Sequence, residues 1–224
     1  KKFRDLSLLE FENTYKLLGV SFDIMLGESY YSEDFGDLIN DLITKGVAKR
    51  NEDGAVIVED LEGLPTFLLQ KNDGSTLYIL RDIITLIHRK KVFHPDVMLY
   101  VVGSEQTLNF KQLFAVSKVA GYSENTDLKH IDFGLVLING EKMSTRKGTL
   151  VNLEEVLHHV IEKAKNISIM KGKSNSMELD KTAQTVGTSA VIYADLKQNR
   201  NNNIEFNWEK MLSIESVSSV YLQY

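Results

Sequence analysis

Val97-Met98-Leu99-Tyr100-Val101-Val102-Gly103-Ser104 decides how the chain folds. Val97 to Val102 is a short, nearly all-apolar run and reads as a strand, closed by Gly103-Ser104. A helix follows, with Leu113, Val116 and Ala120 at helical spacing and Gly121 as its stop. A second apolar run, Phe133-Gly134-Leu135-Val136-Leu137-Ile138, reads as the next strand. Strand, helix, strand at this spacing is a βαβ crossover and predicts a parallel sheet. Ligands of such sheets bind beyond the carboxyl ends of the strands. Glu105 and Gln106 stand just past the first strand, and the loop 142–148 just past the second.

That loop is Lys142-Met143-Ser144-Thr145-Arg146-Lys147-Gly148, three cations, two hydroxyls and a glycine with no acid. The chain as a whole carries 26 Lys and Arg in 224 residues, so this charge is locally dense. Asn139-Gly140 ahead of it is a tight-turn signal. Asn152-x-x-Glu155 behind it offers an N-cap and its N3 partner for a helix. Lysines as point charges, with hydroxyls and backbone N–H groups as directed donors, suit a polyphosphate. A solvated basic loop has the same composition, and loops commonly carry charge. Composition alone leaves both readings standing.

Upstream, Ser7-x-x-Glu10 reads as a capping box, and Leu8, Phe11, Tyr15 and Leu18 recur at helical spacing before Gly19. Val20, Phe22 and Ile24 alternate as in a strand. Leu38, Ile39, Leu42 and Ile43 mark a helix ended by Gly46. Asp53-Gly54 and Asn72-Asp73-Gly74 are hairpin turns, so residues 47–76 read as a small β-rich insertion. Leu77 to Leu80 leads into a helix with Ile83, Ile84 and Ile87, and Asp82 near its start is either its cap or a ligand-facing acid. Downstream, Leu153, Val156, Leu157, Val160, Ile161 and Ala164 form a helical stripe. Lys171 to Ser176 reads as a linker. Leu179, Ala183, Val186, Ala190 and Ala194 then give a small-residue helix face, Arg200 to Asn203 a loop, and Ile204, Phe206 and Trp208 an alternation.

The composition, 43% hydrophobic and 25% charged, is that of a soluble globular protein. Without cysteine there is no disulfide and no thiolate metal site, which fits a cytoplasmic protein. No apolar run approaches the roughly 20 residues that span a bilayer, so no membrane partner is expected. A net charge of -5 confines nucleic-acid contact to a local patch. His158 and His159 are adjacent on a predicted helix and do not share a face, so no metal site is expected there. The chain opens on Lys1 and closes on Tyr221-Leu222-Gln223-Tyr224 without a stop signal, and it reads as a fragment.

Lys142-Met143-Ser144-Thr145-Arg146 resembles the second signature of the class I aminoacyl-tRNA synthetases, usually Lys-Met-Ser-Lys-Ser. Further stretches resemble the arginyl-tRNA synthetase family in that family's order. They are Val20-Ser21-Phe22-Asp23 with Gly27-Glu28-Ser29, Asn72-Asp73-Gly74 with Tyr78-x-x-Arg81-Asp82, and Val101-Val102-Gly103-Ser104-Glu105-Gln106. His130-x-x-Phe133-Gly134, Met143 to Gly148, Arg200 with Phe206-Asn207-Trp208, and Tyr221 to Tyr224 complete the set. The departures are Thr145 for the second signature lysine, Asn109 where a histidine is common, and Ser218-Ser219-Val220 for Thr-Gly-Pro. The first class I signature, His-Ile-Gly-His, belongs upstream of Lys1.

The resemblance implies a Rossmann-like α/β parallel sheet with the β-rich insertion at 47–76, followed by an α-helical region. Residues 1–150 would be the C-terminal part of the catalytic domain, 151–177 a connecting helix and linker, and 178–224 the start of the helical anticodon-binding domain. It implies ATP-dependent activation of arginine to arginyl-adenylate, then transfer to the tRNA for arginine, with tRNA generally needed for the first step. The substrates and cofactors are arginine, ATP with Mg2+, and tRNA. Carried over, Lys142, Arg146 and Lys147 do the phosphate work; Gly103, Glu105, Met143, Ser144 and Thr145 bind ATP; Tyr78, Asp82 and Gln106 hold the arginine side chain. The chemistry fits, since a guanidinium offers five N–H donors in a plane and no acceptor. Residues 1–224 alone are expected to be inactive. A non-enzymatic paralogue binding RNA or protein, and another class I-like nucleotidyl transferase, are the alternatives. The second leaves Tyr78, Asp82 and Gln106 together unexplained.

Overall fold

The structure, a computed structural model, describes residues 2–31, 35–138, 140–143, 151–170 and 177–205. In chain order the elements are α1 (Lys2–Leu18), α2 (Phe35–Thr44), β1 (Lys49–Arg50), β2 (Val56–Val58), β3 (Phe67–Gln70), α3 (Tyr78–Phe93) and β4 (Val97–Gly103). They continue with α4 (Thr107–Val119), β5 (Asp127–Phe133), β6 (Val136–Ile138), β7 (Glu141–Lys142), α5 (Leu153–Met170), α6 (Met177–Leu196) and β8 (Ile204–Glu205). The chain forms two compact units, residues 24–133 and residues 1–23 with 134–224.

In the unit 24–133, helices lie against short sheets. α2 buries Leu38, Ile39 and Leu42 on one stripe and ends as expected at Gly46, whose φ of 69° suits a residue without Cβ. The 47–76 insertion is a three-stranded antiparallel sheet, β1-β2-β3. Its tight turn at Asn51–Gly54 closes with Asn51 N–H on the Ala55 carbonyl at 2.8 Å. Val56, Val58 and Leu69 of that sheet join Leu80, Ile83 and Leu86 of α3 and Leu113 and Val116 of α4 in the core. β4 and β5 pair in parallel from Val97↔Asp127 to Gly103↔Phe133, with α4 between them in sequence. The expected crossover is therefore present, but its second strand is not 133–138. The strand is Asp127-Leu128-Lys129-His130-Ile131-Asp132-Phe133, too polar to stand out by apolar content. Leu128 packs on the core while Lys129 is exposed.

In the other unit, β6 pairs antiparallel with β7 (Leu137↔Lys142, Ile138↔Glu141) and parallel with β8 (Val136↔Ile204). The loop 142–148 thus leaves a small hairpin rather than the crossover strand. α5 opens with Asn152 as cap, its Oδ1 accepting from Glu154 N–H at 3.0 Å. It packs on α6 through a stripe of Leu179, Ala183, Gly187 and Val191. A Cβ at Gly187 would lie 2.8 Å from the Ile161 backbone, so the approach requires glycine there.

Two expectations near the N-terminus do not hold. Ser7 lies inside α1, which already begins at Lys2, so no capping box forms. Val20, Phe22 and Ile24 are exposed, and among the described residues no strand pairs with them. Lys171 to Ser176, Phe206 and Trp208 lie outside the described residues.

Candidate active site

Tyr78 is the first residue of α3, whose cap position is Leu77 with no side-chain hydrogen bond. Asp82 is one turn further in. It is therefore neither the cap of this helix nor across a strand–helix junction from Tyr78; the two share a helix face as an i, i+4 pair. Ile79, Leu80, Ile83 and Leu86 bury the opposite stripe and hold that face in place. Tyr78 is 71% exposed, so its phenol is accessible, and the Arg81 guanidinium lies 5.7 Å from its ring centroid.

At the carboxyl end of β4, Gly103 ends the strand opposite Phe133, and Ser104–Gln106 form one turn of 3-10 helix. Glu105 and Gln106 are exposed there, and the Thr107 hydroxyl closes the turn on the Ser104 carbonyl at 2.6 Å. Gln106 is the residue before α4, and Asn109 lies three residues on, along the same side of the helix start. Asn109 Nδ2 donates to Asp82 Oδ2 at 3.1 Å. This bond ties the face of α3 carrying Tyr78 and Asp82 to the start of α4 carrying Gln106. Tyr100 of β4 adjoins the group: burial pushes its phenol up, Arg89 opposes the shift, and the Asp82 charge adds to it. In the sequence Asn109 stands out only as a departure from the family pattern. Its spacing from Gln106 was the available signal for its place here.

In the other unit, Lys142 is exposed on β7 opposite Leu137, and Met143 follows it. Met143 lines an apolar cavity of about 530 Å³ with Leu18, Val136, Val151, Val191 and Ile204. The hairpin is fastened from residues 200–205. Gly134 N–H donates to the Arg200 carbonyl at 2.7 Å, Leu135 N–H to Asn203 Oδ1 at 2.8 Å, and Gly140 N–H to both Glu205 carboxylate oxygens at 3.2 Å. A Cβ on Gly134 would sit 2.2 Å from the Asn202 carbonyl oxygen, so only glycine fits. Ser144, Thr145, Arg146 and Lys147 lie outside the described residues.

Chemically, the first region offers what a planar cation with several donors needs: a carboxylate held by a neutral amide, an accessible phenol and an exposed carboxamide. The second puts an ammonium on a short hairpin. Among the described residues no three or more His, Cys, Asp or Glu gather as a metal cage.

The family model of class I tRNA synthetases (R), catalytic domain, matches residues 1–208. An arginine–tRNA ligase of Exiguobacterium sibiricum is 43% identical over 222 residues, covering 99% of this chain and 40% of the relative. One from Lactococcus lactis subsp. lactis is 44% identical over 226 residues, with 100% and 40% covered. The crystal structure of arginyl-tRNA synthetase from Plasmodium falciparum superimposes with a TM-score of 0.82 at 24% identity, covering 99% of this chain and 37% of that one. The chain thus spans about 40% of the length of the curated relatives it matches. With a family model matched from Lys1 through α6, and relatives of one kind along its whole length, the chain belongs to the arginyl group of class I tRNA synthetases, in the catalytic domain.

Proposed function

We propose that the protein carrying this chain is an arginine–tRNA ligase of the cytoplasm. The carboxylate of arginine attacks the α-phosphate of ATP, giving arginyl-adenylate and pyrophosphate, and the arginyl group then passes to the terminal ribose of its tRNA. The observation that carries the proposal is the Tyr78–Asp82 face of α3 joined through Asn109 to the helix start bearing Gln106. In this reading the Asp82 carboxylate makes paired charge-assisted hydrogen bonds to the guanidinium, and the Tyr78 oxygen and Gln106 carbonyl accept from its remaining donors.

Lys142, with Arg146 and Lys147, neutralises phosphate charge as it shifts toward pyrophosphate. Gly103, Glu105, Met143, Ser144 and Thr145 contact ATP. No covalent enzyme intermediate is needed; positioning and charge neutralisation suffice. Mg2+ enters as the counter-ion of ATP, an ion commonly held through substrate phosphates rather than by an all-protein cage. The resemblance would start the helical anticodon-binding region at residue 178, whereas the catalytic-domain family model runs on to residue 208 and includes α6. No helix among the described residues is long and apolar enough to cross a membrane.

The test is tRNA-dependent ATP–pyrophosphate exchange by the full-length protein with each of the twenty amino acids. Exchange with arginine alone is expected. Exchange with another amino acid, or none with arginine and its tRNA, overturns the assignment.

A further inference from the structure

We propose that the cavity between α2 and α3 is a subsite for one unpaired nucleotide of the tRNA, its base lying against the aromatic wall of Tyr30 and His88 and its phosphate facing Lys91. The inference takes the tRNA from the proposed function, but uses none of the residues assigned there to arginine or ATP.

Two helix faces make the cavity. Ile84, Ile87, His88 and Lys91 stand at i, i+3, i+4 and i+7 and share one stripe of α3. Leu38 and Asp41 share a face of α2. With Tyr30, Tyr31 and Tyr122 they line a space of about 570 Å³, within the range of small-molecule sites. Tyr30, Tyr31 and His88 pack edge to face, with ring centroids 5.2 to 5.5 Å apart. Tyr31 is buried, whereas Tyr30 is 55% exposed, so aromatic surface is left uncovered at the cavity. Every base has a π-face that stacks on such a surface.

The polar groups narrow the ligand. The Lys45 ammonium and the Tyr122 hydroxyl both bond Oδ2 of Asp41, and Oδ1 has no partner among the described residues. Lys45 and then Tyr122 also hold the Asp41 carboxyl below its usual range. The carboxylate is thus ionised and fixed in orientation, with an acceptor left over. An exocyclic amine of cytosine, adenine or guanine fills such an acceptor. Lys91, in the last turn of α3, is exposed and forms no ion pair among the described residues. It suits a phosphate as a point charge. A purely cationic ligand would be repelled by Lys91, and a bare phosphate would meet the aromatic wall and Asp41. A base carrying a phosphate satisfies all three. Only an unpaired nucleotide has its face and edge free to do so.

The experiment uses the full-length protein and the tRNA for arginine, with Tyr30→Leu, Tyr30→Phe and Lys91→Ala. The Kd for tRNA is measured across a salt series, alongside the denaturation midpoint and the KM for arginine and ATP at saturating tRNA. Loss of one base–aromatic stack corresponds to about tenfold in Kd. Tyr30→Leu should therefore raise the Kd by about that factor, while Tyr30→Phe, which keeps the ring, should bind as the native protein does. Lys91→Ala should lower the slope of log K against log salt by about 0.7, the share of one single-stranded phosphate. Neither KM should move.

Should Tyr30→Leu lower the denaturation midpoint, the Lys91→Ala slope decides alone. A native Kd in Tyr30→Leu, or a native salt slope in Lys91→Ala, overturns the subsite, while tRNA-dependent exchange with arginine keeps the ligase reading. A raised ATP KM in either variant gives the cavity to ATP and equally overturns it. Absence of that exchange in the native protein removes the ligase reading, and with it the source of the nucleotide.

Discussion

The two candidate groups, one in each unit, rest on different supports. The arginine-side group stands on α3 and α4, long helices whose inner stripes fill one core, and an inter-helix hydrogen bond ties them together. Lys142, on the candidate nucleotide side, stands on a two-residue strand that pairs with a three-residue one, and Met143 follows directly after it. What steadies that hairpin is a set of main-chain and side-chain bonds to residues 200–205, with an apolar cavity around Met143. The difference follows from the chemistry each region is assigned. Reading a guanidinium needs two acceptors held in a plane to within fractions of an ångström. Neutralising a polyphosphate needs positive charge at the right place late in the reaction, a demand on charge more than on a fixed plane of acceptors.

The largest test of this contrast is Asp82→Asn in the full-length protein. One acceptor oxygen becomes a donor facing other donors. A site that leaves a polar group unsatisfied can discriminate by about 10⁴–10⁵ without editing. The ratio of kcat/KM for arginine over lysine or citrulline should therefore fall by orders of magnitude while ATP binding and the fold persist. A mutant that keeps the native ratio would place the arginine pocket elsewhere on the chain.

Next in size is Lys142→Ala. It should lower kcat for adenylate formation by about 10²–10³, the loss typical of one transition-state donor, and change the arginine KM by only a few-fold. Single-turnover adenylate formation measures it. Near-native kcat would shift the phosphate work to Arg146 or Lys147 and weaken the contrast between a binding half and a rate half.

The helices and turns of the arginine side were legible because their signals are local. Leu38 to Ile43 with Gly46, Asp53-Gly54, and Leu113 to Gly121 each specify an element within a few residues, and all appear where expected. The crossover was legible in kind but not in register. The apolar run 133–138 outweighed Asp127 to Phe133, in which Asp127, Lys129, His130 and Asp132 break up the apolar content of the true crossover strand. Alternation at Val20 to Ile24 misled in the opposite sense, since a strand exists only where another pairs with it. Asp82 looked like a cap because Leu77, with no side-chain donor or acceptor, gives no sign of being the cap position. Its partner Asn109 lies 27 residues away, and a contact over that span is set by packing rather than by any local pattern.

A smaller effect is expected from Gly134→Ala, which probes the fastening of the hairpin. The added methyl would meet the Asn202 carbonyl oxygen and break the bonds of Gly134 and Leu135 to residues 200–203. Overpacking of this kind costs about 1–3 kcal/mol, readable as a lowered denaturation midpoint. If the hairpin positions Lys142, kcat should fall with it while the arginine KM holds. An arginine KM that rises in step would mean the two halves are not separately supported.

The smallest effect belongs to Tyr122, within the unit of the arginine side but part of its scaffold. Its hydroxyl donates to the Asp41 carboxylate, which Lys45 also pairs at 2.7 Å, and Lys45 lies 4.4 Å from the centre of the Tyr122 ring. Lys45 and then Tyr122 hold the Asp41 carboxyl below its usual range. Burial, with Asp41 as hydrogen-bond partner and charge, pushes the Tyr122 phenol well above its own. As pH rises, the unfolded chain therefore loses the tyrosine proton first. This contribution to stability is complete below about pH 10, the unfolded value, and is lost as pH climbs toward the folded one. Asp41 acts from the other side: its contribution is present above about pH 4 and is lost as pH falls through its depressed folded value. Tyr122→Phe should cost about 1 kcal/mol at pH 7, the low end for a bond to a partly exposed charge. It should also flatten the decline of stability above pH 10 relative to the native protein. Urea unfolding from pH 7 to 11 measures both, alongside the arginine KM, which should not move. An alkaline slope identical in the two proteins would show that Tyr122 does not titrate through this pair. A shifted arginine KM would show that the scaffold and the binding face of this unit are coupled more closely than their separate bonding suggests.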